Sequence, residues 1–436
     1  MSEGDSQALS VLVAVGSRAI ALRSASLVSR GLALARSLLR DDAAHYELGV
    51  ALACRGDWDG ASAEWLEALR LNPNNDLAHY ALGVHLGNKG EGDAAIAEYR
   101  EALRLNPSND DAHYNLGNEL RYKAEWDGAI NEYRQAVRLS PNKDDAHCNL
   151  AVALGNKAEC DAAITEYHEA LRLNPSNEHA HVGLGMELAR KGDWDGAIKE
   201  ERGALRINPN HAIAYYNLAV FVEKKGDREG AIAEYREVLR LSPNNDRAHH
   251  DLGLALCYKG NWDGAIAEFR EALRLNSNHD HAHVSLGNAL ANKGDWQGAI
   301  AEFREALRLN PNNDRAHYNI AVYLRNKGDW EGAIAEYREA LRLNPNNEHA
   351  HVGLGVELAR KGDWDGAITE EREALRVNPN DAMAHYNLAL YLTNKADWDG
   401  AIAEYSEVLR LDPTDAAALN NLRSAVEHKH NYGEAL

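Results

Sequence analysis

Apolar residues recur along this chain in paired bursts, each burst at the three-and-four spacing of one helical face. Between Asp314 and Asn347 the pair reads DRAHYNIAVYLRNKGDWEGAIAEYREALRLNPNN. Ala316, Ile320, Ala321 and Leu324 mark a first helix over residues 315–327, and Ala333, Ile334, Tyr337, Ala340, Leu341 and Leu343 mark a second. Gly328 suits the end of the first helix and Asp329 the N-cap of the next. Asn344-Pro345 closes the pair, because the residue before a proline is pushed out of the α region.

The pair then repeats. The alanine that opens its "AHY" tripeptide returns at Ala44, Ala78, Ala112, Ala146, Ala180, Ala214, Ala248, Ala282, Ala316, Ala350, Ala384 and Ala418, always 34 residues on, with no insertion or deletion. A fixed period of this size means stacked supersecondary units in place of one compact core. Eleven full repeats begin at residues 42, 76, 110, 144, 178, 212, 246, 280, 314, 348 and 382 and end at 415; residues 416–436 open a twelfth. All ten prolines share one repeat position, where only Ser277 departs. Proline inside a helix costs about 3 kcal/mol, so the turns between repeats are fixed. The twentieth position is always alanine and the eighth always glycine or alanine in the full repeats, which lets two helix backbones approach closely. Residues 178–209 nearly recur as residues 348–379, five repeats later, pointing to block duplication.

The unbroken period overrides a length of 436 residues that would otherwise suggest about three domains. A formal charge of −20 argues against nucleic acid or an anionic membrane as the principal partner. Cys54, Cys148, Cys160 and Cys257 fall at four phases of the repeat without CxxC spacing, so a reducing, cytoplasmic setting is expected, with neither a disulfide framework nor a zinc site. Residues 1–41 stand outside the clear array. Their arginines and serines fit either a degenerate helix pair capping the first repeat or an organelle transit peptide, and the longest uncharged run, Ser6 to Ser17, is too short for a membrane span. At the other end, residues 416–429 are expected to form a first helix and 431–436 to begin a second. That piece is either a cap or an opening for another copy through Leu422, Val426 and Leu436.

Candidate chemistry is sparse. Histidine holds the fourth position at His45, His79, His113, His147, His181, His249, His283, His317, His351 and His385, interrupted by Tyr215. Equivalent residues of successive repeats are too far apart to share a metal, so half-buried packing with a mild pH response is expected. The denser groups, His179/His181, His249/His250, His279/His281/His283 and His349/His351, lie one or two residues apart and point to different faces. Trp58, Trp126, Trp194, Trp262, Trp296, Trp330, Trp364 and Trp398 open the second helices and are expected to fill the core against the neighbouring turn. Glu201 and Glu371 replace the aromatic residue found at their position in every other full repeat. A buried carboxylate needs a partner, expected at a tyrosine or histidine of the next repeat such as Tyr215, Tyr216, His385 or Tyr386; otherwise the two glutamates mark a looser joint, repeated five units apart. No catalytic, cofactor or metal site is expected, and no enzyme.

Leu286-Gly287, Ala299-x₃-Phe303 and Pro311, with their equivalents through residues 42–415, resemble the tetratricopeptide repeat (TPR) pattern. The resemblance implies an all-α fold: a right-handed superhelical solenoid of stacked antiparallel helix pairs, with first helices lining a concave groove for a peptide. On this chain the groove positions are Tyr80, Tyr114, Tyr216, Tyr318 and Tyr386 at the fifth place, with Tyr46; Asn115, Asn149, Asn217, Asn319 and Asn387 at the sixth; and Asn88, Asn156, Asn292, Asn326 and Asn394 at the thirteenth. The row looks like the asparagine ladder in the repeats of O-linked N-acetylglucosamine transferases, whose catalytic domain is absent here. The family's carboxylate clamp uses a fifth-position lysine, which this sequence never has. The expected function is a scaffold binding a protein or peptide segment, with head-to-tail self-assembly through the end repeats as the alternative.

Overall fold

The turns set the register. In the computed structural model, which describes residues 41–433, most helices start after a side chain that accepts the backbone N–H three residues on. Asn75 accepts from Ala78 at 3.0 Å, Asn313 from Ala316 at 3.1 Å, and Asp329 from Gly332 at 3.0 Å. The first helix of most repeats ends just before a left-handed residue at the fifteenth position. Glycine takes this conformation freely, as Gly328 does at φ 83°, but Ala124, Ala158 and Ala396 are held there at φ 57°, 61° and 58°. Asn344 leaves the α region at φ −134°, ψ 86° before Pro345, closing the second helix.

Among the described residues these signals produce 23 helices. The chain divides into two compact units, residues 1–217 and 218–436. The first contains α1 (Asp42–Ala53), α2 (Trp58–Leu71), α3 (Asp76–Asn88), α4 (Gly92–Leu105), α5 (Asp110–Tyr122), α6 (Trp126–Leu139), α7 (Asp144–Asn156), α8 (Cys160–Leu173), α9 (Glu178–Arg190), α10 (Trp194–Ile207) and the start of α11 (Ala212–Lys224). The second contains the rest of α11, then α12 (Arg228–Leu241), α13 (Asp246–Tyr258), α14 (Trp262–Leu275), α15 (Asp280–Asn292), α16 (Trp296–Leu309), α17 (Asp314–Lys327), α18 (Trp330–Leu343), α19 (Glu348–Arg360), α20 (Trp364–Val377), α21 (Ala382–Asn394), α22 (Trp398–Leu411) and α23 (Ala416–Gly433). Within each unit a helix packs mainly on its neighbours in sequence, and most first helices also touch the first helix of the next repeat.

One expectation fails at α23, which runs unbroken through residues 429–431, where a turn was expected. His430 stands at the fifteenth position and supplies no glycine for the left-handed turn. The expected cap or transit segment at residues 1–40, and Leu436, lie outside the described residues.

The core is written in the eighth, sixth and twenty-fourth positions. Where the eighth residue is glycine, the aromatic ring of the same repeat lies on it: a Cβ on Gly83, Gly117 or Gly253 would sit 2.7, 2.7 or 2.6 Å from ring atoms of Tyr99, Tyr133 or Phe269. Where Ala151 and Ala321 fill the eighth position, Tyr167 and Tyr337 meet a glycine of the next repeat instead. A Cβ on Gly183 or Gly353 would be 2.3 or 2.5 Å from those rings. Tyr167 and Tyr337 therefore lean on the neighbour that lacks a Cβ.

The seventeenth-position tryptophans are not buried in the core, unlike Trp65, which is 3 % exposed. Trp58, Trp296 and Trp330 are 41 %, 38 % and 50 % exposed, and the other five are half-buried. They sit at the rim because the seventeenth residue opens a helix at the edge of the stack. There they meet the next repeat's first helix and not its turn: Trp58 stacks on His85 at 6.2 Å, and Trp296 and Trp364 lie 6.0 and 6.1 Å from Tyr323 and Tyr391.

Candidate functional site

The fifth and sixth positions meet across repeat boundaries. The Asn115 amide donates to the Tyr80 hydroxyl at 3.1 Å, and Asn149 donates to Tyr114 and to Asn118 Oδ1, both at 3.0 Å. Asn421 donates to Tyr386 at 3.0 Å, while Asn319 turns to Asn288 Oδ1 at 2.8 Å. Tyr80, Tyr114, Tyr318 and Tyr386 are half-buried, their rings 6.1, 6.0, 6.0 and 5.8 Å from the aromatic rings of their own second helices. Burial pushes the Tyr80 phenol up to about 12 and those of Tyr114 and Tyr318 upward, so all three stay protonated. Tyr216 is half-buried on α11.

The thirteenth-position asparagines are exposed. Asn156, Asn292 and Asn394 donate to their own helix carbonyls at Val152, Asn288 and Leu390 (2.8, 2.8 and 2.9 Å). Asn88 lines an open depression with Glu119, Tyr122 and Lys123, and Asn326 ends the exposed face of α17. Fifth and thirteenth positions share one face by helical spacing. Sequence reasoning missed how far the sixth-position amides are spent on bracing neighbouring repeats.

Two sixth-position residues, buried Asn217 and half-buried Asn387, turn to glutamates in the core. Asn217, 9 % exposed, donates to Glu201 Oε1 at 3.0 Å, and Asn387 donates to Glu371 Oε1 at 3.1 Å. Each glutamate thus accepts from an asparagine, where a tyrosine or histidine partner was expected: the amide reaches the slot that an aromatic ring fills elsewhere. Both glutamates are fully buried, each leaving Oε2 without a partner. Burial pushes Glu201 up to about 8 and Glu371 up to about 9, against the weaker pull of the asparagine bond, so both are neutral acids at pH 7. Glu187 and Glu357, also buried, occupy the tenth position in the same two near-identical blocks. Sequence reading missed them because the tenth position varies widely.

The histidine ladder is paired within each repeat. Nδ1 of the fourth-position ring meets a glutamate nineteen residues on, as in His113–Glu132 (2.6 Å), His351–Glu370 (2.7 Å) and His385–Glu404 (2.6 Å). Nε2 faces the carbonyl of the preceding turn's proline, Pro107, Pro345 or Pro379, at 3.2, 3.0 and 3.1 Å. Burial disfavours a charged ring at His283 and His351, but the hydrogen bonds and negative charges around them, led by Glu302 and Glu370, together raise both. The signal was available, since glutamate stands at the twenty-third position of every full repeat.

One further group gathers ligand-type atoms. Glu178, His179 and His211 place theirs within 4.8 Å of one another. Glu178 and His179 are neighbours in sequence, but His211 comes from the turn that ends the repeat, so the group forms only in the fold.

A tetratricopeptide repeat model matches residues 149–212, 250–314, 286–348, 318–376 and 352–416, and a TPR repeat model matches 51–90, 88–119, 117–157 and 223–257. No curated protein sequence matches. Among solved structures, yeast Tom70 is 17 % identical, covering 90 % of this chain and 96 % of its own, with a TM-score of 0.44. The APC/C hetero-tetramer Cut9-Hcn1 is 16 % identical over 98 % and 96 %, with a TM-score of 0.48. YrrB, a TPR protein with an unusual peptide-binding site, is 26 % identical over 43 % and 96 %, with a TM-score of 0.39. With family matches running through most of residues 51–416, the chain belongs to the tetratricopeptide repeat family.

Proposed function

We propose that this TPR chain is a non-enzymatic scaffold that takes an extended peptide or protein segment along its first-helix face. TPR proteins bind protein or peptide partners, and the observation that carries the finer reading is the fixed row of amides. Asn115, Asn149 and Asn319 are held by their N–H groups, which leaves each carbonyl oxygen as an oriented acceptor for a segment's backbone. The exposed asparagines at the thirteenth position add donors and acceptors on the same face, and Tyr122 and Tyr258, 73 % and 65 % exposed, add aromatic area. A chain of formal charge −20 favours an uncharged or basic segment over an acidic one.

Selection from a displayed random-peptide library tests this. The combined variant N156A/N292A/N394A removes side chains that bond only to their own helix, so its melting temperature should hold while the affinity of selected peptides falls at least tenfold. Unchanged affinity, or a library that yields no binder, overturns the reading.

A second reading rests on α23, where Leu419 and Val426 are 39 % and 49 % exposed. Self-assembly through that face would raise the scattering mass with protein concentration. A constant monomer mass at high concentration removes it.

A further inference from the structure

At most joints between repeats, the acid that opens the first helix is tied to asparagines of the following turn. Asp42 accepts from Asn72 and Asn75 at 2.7 and 2.9 Å, Asp144 from Asn174 and Asn177 at 2.8 and 3.2 Å, and Asp280 from Asn310 and Asn313 at 2.8 and 3.2 Å. The joint at residues 178–211 is built differently. Glu178 replaces the aspartate, His211 replaces the second asparagine, and His179 stands beside them at the exposed second position. The two imidazoles lie edge to face with centroids 6.4 Å apart, and one atom from each of the three side chains falls within the same 4.8 Å.

We propose that Glu178, His179 and His211 form a binding site for a divalent transition-metal ion of the Zn²⁺ class. Two imidazole nitrogens and one carboxylate oxygen suit Zn²⁺, Ni²⁺ or Co²⁺ and suit the all-oxygen ions Ca²⁺ and Mg²⁺ poorly. At metal–ligand distances of about 2.0–2.2 Å, tetrahedral ligand atoms stand about 3.4 Å apart, so the three side chains must close by roughly an ångström. His179 is exposed and Glu178 and His211 half-buried, so rotamer changes supply that movement, and water completes the shell.

Binding has a structural consequence at α11. His211 Nδ1 accepts the Ala214 N–H at 3.2 Å and thereby caps that helix. If Nδ1 ligates, the metal takes its lone pair. If Nε2 ligates, the ring's single proton moves to Nδ1. Either way the Ala214 N–H loses its acceptor, so metal uptake loosens the first turn of α11.

The duplicated block supplies an internal control. Residues 348–381 repeat the joint with Glu348 and His349, but the third place is Asp381, whose Oδ1 caps α21 by accepting from Met383 and Ala384 at 2.9 and 3.2 Å. His279 is a second control: it caps α15 through Ala282 and stacks on His250, yet gathers no comparable triad among the described residues.

The experiment is Zn²⁺ titration of the full chain by calorimetry, with Co²⁺ absorption as an independent readout. Wild type and H279N should bind one ion with the same affinity. H211N should bind it at least tenfold more weakly and still fold, because asparagine is the cap at this place in Asn75, Asn177 and Asn313. D381H, which completes the triad in the second block, should gain one ion. Amide exchange at Ala214 should accelerate on adding Zn²⁺ to wild type and stay unchanged in H211N. A wild type that takes up no Zn²⁺, an H211N isotherm equal to wild type, or a D381H that gains nothing overturns the assignment.

Discussion

At the residue scale the clearest local conflict is the left-handed alanine. Ala124, Ala158 and Ala396 sit at φ 57°, 61° and 58°, where a Cβ crowds the following carbonyl at a cost of roughly 1–2 kcal/mol. Eight glycines take the same conformation at the matching place of other repeats. Replacing Ala158 by glycine should therefore stabilise the chain by about 0.5–1 kcal/mol after the glycine's extra unfolded-state entropy is deducted, read as a higher denaturant midpoint. A lower midpoint would mean that the Ala158 methyl makes a compensating contact. Residue identities made this turn legible: glycine, then an acid or asparagine, then a helix opening. They did not reveal what Asn217 and Asn387 bond to. Those residues share a repeat position with Asn115 and Asn149, and their different role is set by Glu201 and Glu371, sixteen residues earlier and on another helix. A one-dimensional reading sorted by position treats all five asparagines alike; packing separates them.

At the element scale, helix pairs are joined by a choice of where each aromatic ring goes. Tyr337, 1 % exposed, follows Ala321 and so leans on Gly353 of α19. An alanine at 353 would put a methyl carbon 2.5 Å from Tyr337 Cζ, and the buried ring has little room to retreat. G353A should cost about 1–3 kcal/mol by overpacking. Thermal unfolding should show the loss, and the double variant G353A/Y337L should recover part of it; full additivity would show that the two sites do not touch. The sequence carried the helices, their caps and the close-approach positions almost completely, because each is dictated within a few residues. It carried less of the joints. The seventeenth-position tryptophans looked like core from their regular spacing, yet a residue that opens a helix at the edge of the stack stays half-buried or exposed. The histidine–glutamate pairs span two helices, visible only once the second helix is folded back on the first.

At the scale of the whole molecule, several buried groups respond to pH in the same direction. Glu201 lies in the first compact unit beside Asn217 and Glu200, and Glu371 in the second beside Asn387, Asp381 and Glu370. Their folded values, about 8 and about 9, stand above the ordinary 4.5, so each keeps a proton that the unfolded chain releases. That contribution is complete below pH 4.5 and is lost as pH rises through 8 to 9. His283 and His351 are also raised, from 6.5, so their stabilisation is complete below pH 6.5 and fades as pH climbs past their folded values. A formal charge of −20 grows more negative over the same interval and adds self-repulsion. The melting temperature should therefore fall steadily from pH 6 to pH 9. Glutamine copies the shape of the neutral acid without its proton, so E201Q/E371Q should flatten this slope and exceed wild type at pH 9 by a few kcal/mol, with little change at pH 5. Parallel slopes for the two proteins would show that both carboxyls ionise without penalty, and the tight fit around Glu201 and Glu371 would then have to open to water as the pH rises.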